Sequence, residues 1–104
     1  MLAKKFHLPI QENYDKRGKK ISTHFFTVKK TLSTLPYSRF GVVVSKKISK
    51  SSVRRNWFRR IFFDLVRTNN LYKIPNHDVM VILLPQAALL AKADFIKKLE
   101  EALL

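Results

Sequence analysis

Cysteine is absent from this 104-residue chain, which excludes disulfides and thiolate metal sites and fits a reducing compartment. Glycine occurs only twice, at Gly18 and Gly41, so no glycine-rich loop is present to cradle a nucleotide phosphate. Acidic residues number seven against 21 lysines and arginines. They are scattered, and no two have the spacing that holds the metal pair of protein nucleases. The three histidines, His7, His24 and His77, show neither ligand spacing nor an evident partner. His77-Asp78 reads as turn chemistry at a strand start rather than an acid–base pair. No apolar run approaches the roughly 20 residues that cross a bilayer; the longest, Val79 to Pro85, has the length of a strand. The opening MLAKKFHLPIQ has two lysines with no apolar stretch behind them and is not read as a secretory signal. These absences predict a cytoplasmic protein with no active site of its own.

Apolar residues make up 46% of the chain, enough for a single domain over residues 1–104 built on one core. The formal charge is +14. Self-repulsion of that size costs stability and implies a polyanionic partner, with nucleic acid the leading one.

Along the chain, Pro9 suits the first turn of a helix and Gly18 a stop just past its end. With Ile10 and Tyr14 four apart, a short helix from Pro9 to Arg17 is expected. Ile21 to Lys30 is rich in β-branched and aromatic residues and reads as a strand. Thr31 to Ser38 reads as a loop, and Arg39 to Ser45 as a second strand buried on both faces. The two strands are expected to pair antiparallel. Ser51 or Ser52 caps a helix running to about Thr68. Leu71 to His77 is a loop turning at Pro75-Asn76, Asp78 to Leu84 a buried strand, and Lys92 to Leu103 a closing helix. Strand, long helix and buried strand describe a βαβ unit with parallel strands.

The chemistry concentrates in SKKISKSSVRRNWFRRIFFDLVR, Ser45 to Arg67. Between Lys46 and Arg60 it holds seven basic residues and no acidic one: Lys46, Lys47, Lys50, Arg54, Arg55, Arg59 and Arg60. At 100° per residue, Trp57, Phe58, Ile61, Phe62 and Leu65 share a core-facing arc, and Val53 adds apolar surface. Arg55, Asn56, Arg59, Arg60, Phe63 and Arg67 lie opposite, and Phe63 either stacks on a base or packs under a neighbouring loop. A basic first turn opposes the helix dipole unless an anion is bound. With phosphate present, free amide N–H groups and guanidinium forks converge on it.

Ser45-Lys46-Lys47-Ile48, Val53, Arg55-Asn56, Arg59-Arg60 and Ile61 resemble the bacterial ribonuclease P protein family, whose pattern reads roughly S-K-K-x-x-x-x-A-V-x-R-N-R-x-K-R. This chain departs from it at Trp57, where the pattern has arginine, and at Ser52, where it has alanine. The resemblance implies an α/β sandwich (α+β) of about four strands and three helices, similar to a domain of ribosomal protein S5. It also implies a left-handed βαβ crossover, against the right-handed one that chain geometry favours in about 98% of cases. By function it implies a protein cofactor that binds the catalytic RNA and the 5′ leader of precursor tRNA, a monomer within a ribonucleoprotein. The RNA and its Mg²⁺ would perform the cleavage. Lys46, Lys47, Lys50, Arg54, Arg55, Asn56, Arg59 and Arg60 are then the expected RNA contacts, and Phe26, Val28 and Tyr14 the expected leader contacts. A ribosomal or other structured-RNA-binding protein on an S5-like fold is the alternative. A peripheral membrane role is disfavoured, because the core needs the helix's apolar face.

Overall fold

The structure, a computed structural model, describes residues 2–10 and 18–104. Its centre is a four-stranded sheet of β1 (Lys19–Ser22), β2 (Phe26–Leu32), β3 (Arg39–Val43) and β4 (His77–Leu83), in the spatial order β1-β2-β4-β3. Among the described residues two α-helices are complete, α1 (Ser52–Thr68) and α2 (Lys92–Leu103), with 3-10 turns at Lys4–Phe6, Leu71–Lys73 and Pro85–Leu89. The helix expected from Pro9 to Arg17 lies, beyond Ile10, outside the described residues.

The central strand is β4. It runs parallel to β3 and antiparallel to β2, so the segment between β3 and β4 is a βαβ crossover carrying α1. The parallel register sets Arg39 opposite Asp78. Arg39 donates two hydrogen bonds to that buried carboxylate, from Nε to Oδ1 at 3.0 Å and from Nη2 to Oδ2 at 2.8 Å. A fork-on-carboxylate pair of this kind defines a register as well as an energy. Asp78 is thus tied to the sheet, while His77 Nδ1 lies 2.8 Å from the Pro75 carbonyl.

Two expectations are corrected. The strand expected over Ile21 to Lys30 is a hairpin, broken at Thr23–Phe25, where Thr23 Oγ1 accepts hydrogen bonds from the amides of Phe25 and Phe26. The strand beginning at Arg39 does not pair antiparallel with the strand before it, because β4 inserts between them.

Alternate residues on one sheet face, Phe26 and Val28 of β2, Phe40 and Val42 of β3, and Val79, Val81 and Leu83 of β4, form the core with both helices. From α1 come Phe58, Ile61, Phe62, Leu65 and Val66, and from α2 Phe95 and Leu99. Phe95 is fully buried against Phe26 and Phe58, with ring centroids at 5.8 and 5.1 Å. Val53, expected to add to the apolar face, is 73% exposed; the first turn of α1 carries it past the sheet, and Val66 is the valine that reaches the core. On the opposite sheet face the N-terminal segment passes closely over Gly41. A Cβ there would lie 2.6 Å from Ile10 Cδ1 and 3.2 Å from the Leu8 carbonyl oxygen, so any larger residue would have to turn the Ile10 side chain aside and push the segment back slightly.

Candidate nucleic-acid interface

The eight residues expected to contact RNA occupy one continuous stretch, the loop after β3 and the first half of α1. Ile48 makes the loop a shaped element. Its amide bonds back to the Ser45 carbonyl at 3.0 Å and its side chain is buried, which leaves Lys46, Lys47 and Lys50 exposed around it. Ser51 ends the loop as the N-cap of α1, its Oγ accepting from the Arg54 amide at 3.3 Å. No acidic residue stands in the first turn, so the positive end of the helix dipole faces solvent without a counter-charge of its own.

The arginines are not equivalent. Arg55 Nη1 donates to the Ser49 carbonyl at 2.9 Å and to the Lys50 carbonyl at 3.0 Å, tying the lysine loop to the helix. Arg59 Nη1 donates to Asn56 Oδ1 at 2.9 Å, so Asn56 orients a guanidinium instead of standing alone. The Arg54 guanidinium stands 4.4 Å from the Trp57 ring centroid and 5.0 Å from that of Phe58. It therefore lies along the aromatic edge of the core while its polar rim stays exposed. Arg60 is exposed, on the ridge between two grooves of α1.

Phe63, the aromatic residue among these cations, stacks on His7 at 4.1 Å with an interplanar angle of 12°. Of its two expected uses, packing under a neighbouring segment is the observed one. Beside this stack a groove of about 420 Å³ opens toward Asn56, Arg59 and Arg60. Trp57 packs edge-on to Phe58 and stacks on Phe95, as expected of a residue at the margin of the apolar arc. Among the described residues, no group of three or more His, Asp or Glu is placed to hold a metal ion, and no helix is long and apolar enough to cross a membrane. The surface suits a phosphate backbone, with backbone N–H groups, fixed guanidinium forks and mobile lysines side by side.

Comparison with known proteins decides the lineage. The family model for Ribonuclease P matches residues 7–104. The chain belongs to the ribonuclease P protein family. It is similar to the ribonuclease P protein component of Aliivibrio fischeri, with 33% identity over 86 residues that cover 83% of this chain and 73% of that one. The component from Vibrio campbellii is 30% identical over 86 residues, covering 83% and 72%. In fold it is similar to the RNase P protein from Thermotoga maritima, at 24% identity and a TM-score of 0.80, covering 93% of this chain and 94% of that one.

Among ribonuclease P proteins, then, this chain has the mixed α+β architecture with a four-stranded sheet. Two of its expected leader contacts do not reach the surface. Phe26 and Val28 are 1% and 2% exposed and face the helices across the core, so the leader-facing role expected for them falls away. Their partners came from β4 and α2, which the local alternation of Ile21 to Lys30 does not reveal. Tyr14 lies outside the described residues. Sequence reasoning also missed the Arg55 clamp, since a bond from a helix to carbonyls five and six residues earlier leaves no periodic signal.

Proposed function

We propose that this chain is the protein cofactor of a ribonuclease P that removes the 5′ leader of precursor tRNA. It docks the catalytic RNA on the loop of Lys46, Lys47 and Lys50 and on the α1 face of Arg54, Arg55, Asn56, Arg59 and Arg60. The RNA and its bound Mg²⁺ carry out the cleavage, while the protein neutralises phosphate repulsion and holds substrate. Tyr14 remains as the aromatic candidate for the single-stranded leader. Family membership carries two further expectations, a helix ahead of Gly18 and a left-handed crossover from β3 to β4. The protein acts in the cytoplasm as a single copy within a ribonucleoprotein.

One observation carries this reading: seven cations converge on a capped helix start whose first turn holds no acid, with Arg55 and Asn56 fixing the geometry. Reconstitution with a bacterial ribonuclease P RNA at low Mg²⁺ tests it. Added protein should raise the rate of precursor-tRNA cleavage, and affinity for the substrate should depend on leader length. No gain in cleavage overturns the proposal. RNA binding that ignores the leader would instead favour a general structured-RNA protein.

A further inference from the structure

On the other side of the Arg60–Asp64 ridge, α1 and α2 leave a groove of about 410 Å³, within the range of about 300–1,000 Å³ typical of small-ligand sites. Trp57 and Ile96 give it an apolar lining. Each helix also sets one cation and one carboxylate along it, Arg60 and Asp64 from α1, Lys92 and Glu100 from α2. These charges do not satisfy one another. Among the described residues no ion pair spans the groove; Asp64 reaches only Arg67 on its own helix, at 4.0 Å. Trp57 is held rigidly, between Phe58 and Phe95 and beneath the Arg54 guanidinium.

The carboxylates can only accept hydrogen bonds and the cations can only donate them. A ligand complementary to both must offer N–H donors, an anionic group and a flat apolar body. A nucleotide with an amino-bearing base meets all three requirements. We propose that this groove takes one unpaired nucleotide of the bound RNA. Its base lies against Trp57 and Ile96, its amino group donates to Glu100, and its phosphate meets Arg60 and Lys92. The inference rests on the RNA-binding reading above and deepens it. Arg60 makes the groove continuous with the proposed docking surface. Its wall is the residue at which this chain replaces the family's arginine.

Glu100→Gln separates the idea from bulk electrostatics. Removing a negative charge from a chain of formal charge +14 should by electrostatics alone tighten RNA binding or leave it unchanged. If Glu100 accepts from a base, affinity for the ribonuclease P RNA falls about five- to tenfold, because glutamine keeps an acceptor oxygen but loses the charge that strengthens the bond. Trp57, the only tryptophan, supplies a second readout. Its emission should respond saturably to AMP and CMP, more weakly to UMP, and not to inorganic phosphate. Unchanged or tighter RNA binding by Glu100→Gln overturns the inference, as does an equal response to phosphate alone. In either case wild-type RNA binding stays intact, whereas a wild-type chain that binds no RNA overturns the docking proposal itself.

Discussion

Replacing Arg55 by alanine removes the two bonds its Nη1 donates to the Ser49 and Lys50 carbonyls, at 2.9 and 3.0 Å. Each bond of this kind contributes about 0.5–1.5 kcal/mol net. The one to Lys50 is solvent-exposed, so the pair is placed in the lower half of that range, about 1–2 kcal/mol together. That free energy holds the lysine loop against the start of α1. Losing it lowers the population of the RNA-ready loop, and the apparent affinity, about 5- to 30-fold. The assay is a double-mutant cycle on RNA affinity with wild type, Arg55→Ala, Lys50→Ala and the double variant. If Arg55 positions Lys50, Lys50→Ala costs less once Arg55 is gone, with a coupling of about 0.5 kcal/mol or more. Strict additivity refutes the clamp and leaves Arg55 as an independent phosphate ligand.

Changing Arg59 and Arg60 to alanine should weaken RNA binding and flatten its dependence on log salt by about one unit for each lost phosphate contact; an unchanged slope would show that neither touches phosphate. Asp78→Ala removes the bidentate partner of Arg39. Because the Arg39 side chain is 23% exposed and partly rehydrates, the expected loss in urea unfolding is about 3 kcal/mol, the low end for a broken buried pair. A loss below about 1 kcal/mol would mean that the pair does not secure the β3–β4 register. Ser51→Ala should cost about 1 kcal/mol through the lost N-cap, read as a fall in thermal midpoint, while Ser52→Ala changes little. Equal effects at the two serines would contradict the observed cap.

The helix and the buried strands were legible because their signals are local. Phe58, Ile61, Phe62 and Leu65 repeat with helical spacing behind a serine cap, and the runs around Val42 and Val81 are apolar over the length of a strand. The hairpin turn at Thr23–Phe25 was not legible, because a threonine hydroxyl makes it and no glycine, proline or asparagine marks it. Strand pairing was hidden for a different reason. Local sequence says nothing of which strand fills the gap beside β3, and the Arg39–Asp78 pair joins residues 39 apart in the chain. Phe26 and Val28 illustrate the consequence at the site. Their aromatic and β-branched character was evident, but whether they faced RNA or α2 depended on a strand still to come.

The position of β4 also governs when this surface can exist. It is the last strand to leave the ribosome, yet both β2 and β3 hydrogen-bond to it. Until residue 83 has been synthesised, the only partner of β3 among the described residues is the single bridge from His7 to Phe40, and the apolar stripe of α1 lacks the β4 part of its floor. A 17-residue helix without such packing is only marginally stable in water. A chain interrupted after Thr68 would therefore carry all seven clustered cations and still lack the shape that presents them. Ribosomes stalled before residue 83 release charge without a docking surface, and competence to assemble arrives in one step once β4 has been made.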